Sequence, residues 1–168
     1  MKRFGVMLIV IILCFLLQST VFQALALADV VPNLLLIITV ASGYLRGRKE
    51  GMMIGLICGL IADFMYGDII GVCTLIYMII GYLNGIVNKV FFRDVLTIPI
   101  ILIGISDFLY NFMYYVFEFL LRGRLNLFFY FRRTMIPELV YTVLVSVVLY
   151  RILHNLNAFL ERRENKEV

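Results

Sequence analysis

Apolar residues in this chain come in long runs, broken by short clusters of charge and turn residues. Six runs can be marked, at about 4–27, 30–45, 51–66, 69–88, 94–121 and 134–154. Runs of this kind predict an all-α integral membrane protein, a six-helix transmembrane bundle forming one domain over residues 1–168. A loop at 122–133 and a tail at 155–168 complete the expected organisation. The first run is long enough for the ~30 Å hydrocarbon core. The second and third, about 16 residues or ~24 Å each, are short and need to be buried, kinked or set in thin bilayer. Ala28-Asp29 and Gly67-Asp68 are such tight linkers that each predicts a helical hairpin.

Composition supports lipid as the solvent. The chain is 63% apolar with a mean hydropathy of +1.01, where soluble domains run at about 45–50% apolar. Charged residues make up only 15%. The net charge of +4 is carried by short basic clusters between apolar runs, a topology signal rather than a nucleic-acid patch. With the N-terminus in the cytoplasm, Lys2, Arg3, Arg46, Arg48, Lys49, Lys89, Arg93, Arg151, Arg162, Arg163 and Lys166 fall inside. Only Arg122, Arg124, Arg132 and Arg133 then fall outside, all in one loop. Both termini are therefore expected in the cytoplasm, in a multi-pass membrane protein.

Lys2-Arg3, the apolar run and Ala24-Leu25-Ala26-Leu27-Ala28 resemble a signal peptide. The run is about 25 residues against ~7–15 for a signal core, and more apolar sequence follows, so an uncleaved first helix is expected. The loop Arg122–Arg133 has an aromatic centre between basic ends. It reads as a segment lying in the outer interface, as a plain connector, or as a contact surface for an external partner.

Glycines recur at every fourth position: Gly43, Gly47, Gly51, Gly55 and Gly59, continuing through Asp63 to Gly67 and Gly71. In lipid, helices associate by close backbone approach, and small residues at this spacing permit it. Gly81 and Gly85 repeat the spacing in the fourth run. Packing within the bundle is favoured over oligomerisation. A second pattern is a polar stripe of Asp107, Asn111, Tyr114 and Glu118, all within about 40° of Asp107 on the fifth helix. Ionisable residues at membrane depth usually face a bundle interior. The stripe can line a transport cavity, bond to a partner helix or tie the bundle together; Glu118 has Arg122 one turn on as an ion-pair partner.

Catalytic signatures are missing: there is no G-x-S-x-G, no H-E-x-x-H and no phosphate-binding glycine loop. No serine has a histidine at membrane depth, His154 reads as an interfacial residue, and Asp63 lies in an Asp-Phe-Met-Tyr context unlike an intramembrane aspartyl protease. Cys14, Cys58 and Cys73 have no metal-ligand spacing and read as small hydrophobes. No catalysis, metal or cofactor is expected.

Local motifs carry a family resemblance. Val31-Pro32-Asn33-Leu-Leu-Leu opens the second helix, and Gly51-x-x-x-Gly55-x-x-x-Gly59-Leu-Ile-x-Asp63 fills the third. Gly71-x-x-x-Leu75, Tyr77 and Gly81-Tyr82-x-x-Gly85 follow in the fourth. With its size, six spans and basic C-terminus, the chain resembles the MreD family of bacterial rod shape-determining membrane proteins. The resemblance covers the whole chain, although the last two helices match mainly in character. It implies a non-catalytic scaffold in lateral cell-wall elongation, working with MreC, the MreB filament, RodA and a class B penicillin-binding protein. Pro32, Asn33, Gly51, Gly55, Gly59, Asp63, Gly71, Gly81, Tyr82 and Gly85 become candidates for helix packing or a partner interface. Helices two and three, with the outer loop, are the expected contact for MreC. The resemblance also implies a fold like the substrate-binding subunits of energy-coupling-factor transporters, so a vitamin-uptake subunit is the alternative function.

Overall fold

The computed structural model describes residues 2–26, 29–67, 69–90, 96–123 and 126–167. Six principal helices carry the fold: α1 (Lys2–Ser19), α3 (Leu34–Arg46), α4 (Arg48–Tyr66), α5 (Val72–Val87), α6 (Thr97–Arg122) and α8 (Ile136–Glu167). Two single-turn helices, α2 (Val21–Ala24) and α7 (Leu127–Tyr130), sit in the connections, and a π-helical turn at Phe131–Met135 feeds α8. No strand lies among the described residues. Three stretches are long and apolar enough to cross a membrane: Arg3–Ala24, Thr97–Phe117 and Leu127–Arg163.

The architecture is organised around α3. All twelve residues from Leu34 to Leu45 are buried, and α1, α4, α5, α6 and α8 all contact this helix. A helix apolar on every side belongs in a core, and at thirteen residues it is only about 20 Å long. Enclosure by longer neighbours is how the chain accommodates the short second run. The outer helices contribute single stripes. On α1 the buried positions Met7, Ile11 and Cys14 lie one helical turn apart, while Ile9, Ile12, Leu13 and Leu16 face outward.

Successive helices run in alternate directions. Arg3 of α1 lines the same cavity as Arg46 at the end of α3, and Asn157 of α8 bonds Arg46 through Nε at 2.7 Å. Both chain ends therefore lie at the Arg46 end of the bundle, and the Asn33 end carries the opposite set of connections.

Element boundaries differ from the sequence expectation in two places. The helix expected to stop near 154 runs to Glu167, through most of the segment expected as a tail. Its apolar spacing persists there: Leu153, Asn157 and Leu160 are buried in series, and Asn157 is held by both Arg46 and Glu161. The loop expected at 122–133 is largely helical. Gly123 ends α6 with φ +66, and Leu127 onward winds through α7 and the π turn into α8. Ala28, Asp68, Arg93 and Arg124 lie outside the described residues.

Candidate functional site

Three helices are locked backbone to backbone by the glycines. A Cβ built on Gly43 would lie 2.7 Å from the Gly81 carbonyl oxygen, and one on Gly51 would lie 2.5 Å from that oxygen and 2.6 Å from the Gly43 Cα. Gly55 and Gly59 meet the Tyr77 carbonyl and the Thr74 backbone more closely still, and a Cβ on Gly85 would lie 2.5 Å from the Arg48 nitrogen. Side chains are excluded along this α3–α4–α5 seam, so the four-residue spacing serves packing within the chain. As positions for a partner, Gly51, Gly55, Gly59, Gly81 and Gly85 are already covered. In α3 the residues from Leu34 to Leu45 are likewise buried against the other helices of the bundle.

Asp63 is also committed internally. Its Oδ1 accepts the Cys73 N–H at 2.9 Å, and its Oδ2 accepts the N–H groups of Gly71 and Thr74, both at 2.9 Å, and the Thr74 hydroxyl at 2.5 Å. A carboxylate at the last turn of α4 thus caps the first turn of α5, where unsatisfied N–H groups and the helix dipole favour negative charge. Gly71, with φ +108, brings the chain into that helix. Burial of Asp63 (1% exposed) is tolerable because its oxygens are occupied.

The start of α3 is satisfied just as fully, as buried backbone N–H groups require. Asn33 Oδ1 accepts from Leu36 N at 3.1 Å. Gln18 Oε1 of α1 accepts from Leu34 N at 3.0 Å and Leu35 N at 3.4 Å. Ile37 N bonds the Asn33 carbonyl, and the Asn33 N–H reaches Thr142 Oγ1 of α8 at 3.2 Å. The Tyr77 hydroxyl donates to Asn33 Oδ1 at 2.6 Å, tying α5 to the same residue. Buried Pro32 precedes this knot.

Beside it opens a cavity of about 290 Å³. Five of the ten tyrosines line it, namely Tyr66, Tyr77, Tyr110, Tyr114 and Tyr130. Gln18, Gln23, Asn33, Asn111 and Glu138 add polar groups. Tyr77 meets Tyr110 edge to face at 5.3 Å, and Tyr110 stacks on Tyr114 at 6.0 Å. Glu138 and Asn111 face the same cavity, and the Asn111 side-chain amide donates to the Asp107 carbonyl at 3.1 Å. Asp107, one turn before Asn111 on α6, is 0% exposed, and neither of its carboxyl oxygens has a partner among the described residues.

The polar stripe is thus divided. Asn111 and Tyr114 line the cavity, Asp107 lies buried in the bundle, and the Glu118 side chain is outside the described residues. Tyr82 faces outward at 42% exposure, with the Arg48 guanidinium 5.9 Å above its ring. Sequence reasoning missed Gln18, Tyr110 and Glu138. Gln18 continues the Met7-Ile11-Cys14 stripe, and Glu138 is the one acidic residue in the first turn of α8; both signals were there to read.

Comparison with protein families matches residues 1–159 of the chain to the family described as rod shape-determining protein MreD. Neither the curated proteins nor the solved structures gave a significant match.

Proposed function

The chain belongs to the MreD family of rod shape-determining membrane proteins, and from that premise we propose that it is a non-catalytic scaffold of the cell-elongation machinery. In this reading it holds MreC, and through MreC the MreB filament, RodA and a class B penicillin-binding protein, at sites of lateral peptidoglycan synthesis. The family match over residues 1–159 is the observation that carries the reading. A core without side chains between its backbones suits the task, because a rigid bundle presents its rim in a fixed arrangement.

The contact surface in this proposal is the rim. Met53, Leu56, Leu60 and Phe64 make an exposed apolar face on α4, and Phe128 and Phe129 stand out from α7. The orientation that goes with it puts the Arg46 end, with both termini, in the cytoplasm and the Asn33 end outside, as the distribution of lysine and arginine favours. Clean deletion in a rod-shaped host is expected to round the cells, and a photo-cross-linker at Phe64 is expected to trap MreC while one at Gly55 does not. Normal rods after deletion would sink the proposal. The vitamin-uptake alternative has the polar cavity in its favour; co-purification of a vitamin with the protein would establish it.

A further inference from the structure

We propose that the tyrosine-lined cavity at the Asn33 end is a binding site for a small organic ammonium, supplied either as a free primary amine or as the headgroup of an amine-bearing lipid. The inference goes beyond the scaffold role and does not depend on it.

Size, wall chemistry and charge converge. The volume, about 290 Å³, is close to the lower end of ligand pockets, roughly 300 Å³, and leaves room for an ammonium group together with the polar group that carries it or with a few waters. Tyr77, Tyr110 and Tyr114, in mutual ring contact, supply aromatic surface, which attracts cations through the ring quadrupole. Glu138 is the one charged residue type in the lining, and no lysine or arginine joins it. Behind Asn111 stands the Asp107 carboxyl, buried and unpartnered among the described residues.

Other occupants fit less well. An anion would meet carboxyl groups without a cationic donor. An acyl chain would set hydrocarbon against the Glu138 carboxyl and the amide side chains of the lining. A primary ammonium fits better, with N–H donors for the Glu138 carboxyl and a positive charge for the rings.

The absence of tryptophan makes the test direct, since protein emission then comes from tyrosine, and five of the ten tyrosines line the site. The full chain in dodecyl maltoside micelles doped with phosphatidylglycerol, which add no protein emission, is titrated with ethanolamine, with acetate as control. A saturable emission change with ethanolamine alone is expected. Glu138→Gln is expected to weaken it at least about tenfold, Tyr110→Leu about tenfold, and Tyr110→Phe by no more than about twofold, because the ring remains. In a second arm, native mass spectrometry follows retained phosphatidylethanolamine from mixed nanodiscs. Retention lost in Glu138→Gln, without saturation by free ethanolamine, assigns the site to the lipid headgroup; saturation assigns it to the free amine. Binding in neither arm overturns the proposal, as does unchanged binding in folded Glu138→Gln. Should that variant fail to fold by circular dichroism, unchanged binding in Tyr110→Leu overturns it instead.

Discussion

Asp63 and Thr74 are joined twice: one carboxylate oxygen accepts both the backbone N–H and the hydroxyl of Thr74, at 2.9 and 2.5 Å. The pair links the end of α4 to the start of α5 across the Gly67–Gly71 connection. Replacing Asp63 with Ala leaves the N–H groups of Gly71, Cys73 and Thr74 without their acceptor. A loss of about 3 kcal/mol is expected, as for removal of hydrogen bonds to a charged group, measured by unfolding in detergent. Thr74→Val alone is expected to cost about 1 kcal/mol and to be non-additive with Asp63→Ala.

Glycine replacements separate crowding from backbone strain. Gly55→Ala drives a methyl into the Tyr77 carbonyl and is expected to cost more than about 3 kcal/mol, as overpacking against backbone allows no rotamer escape. Gly47→Ala meets nothing within 4 Å but holds φ +98, so about 1–2 kcal/mol is expected from conformation alone. Gly5→Ala, with open space and no positive φ, is expected to be neutral or slightly stabilising by thermal shift.

The cap supplied by α1 gives a third expectation. Gln18→Leu removes one of the two acceptors of Leu34 N, which keeps the Pro32 carbonyl at 3.1 Å, and removes the acceptor of Leu35 N. Destabilisation of about 2 kcal/mol is expected, the cost of a buried unsatisfied donor. Hydrogen exchange is expected to quicken first at Leu34 and Leu35, and unaltered protection there would refute the assignment.

Sidedness is readable with thiol reagents because Cys14, Cys58 and Cys73 are all buried. Phe128→Cys in intact cells is expected to react with an impermeant maleimide, whereas Arg163→Cys is expected to react only after permeabilisation. The reverse pattern would invert the proposed orientation.

Much of this fold was legible in the sequence because lipid imposes few alternatives. Six runs gave six helices, and the shortness of the second run left burial, a kink or thin bilayer as its options, of which the structure takes burial. The glycine spacing showed that backbones approach, but not which, since Gly51 touches α3 and α5 at once. Asp63 was visible as an expensive charge, yet its role depends on N–H groups eight to eleven residues further on, across a turn. The cavity was least legible. Its tyrosines come from α4, α5, α6 and α7, so no periodicity on any one helix gathers them. The extension of α8 beyond residue 154 depends on Asn157 meeting Arg46, a contact 111 residues apart in sequence.

A helix of about 20 Å that touches only protein has a consequence for biosynthesis. When α3 and α4 leave the ribosome, joined by Gly47 alone, only α1 of the helices that will surround them has been made. α3 is then too short to span the bilayer with its ends in water, and Gly55 and Gly59 of α4 still lack the α5 backbone they pack against. Only the arrival of α5 fills the seam, and only α8 supplies Thr142 to the start of α3. Insertion of this chain is therefore a late, collective event, and a chain released after α4 is expected to be a substrate for membrane quality control rather than a stable intermediate.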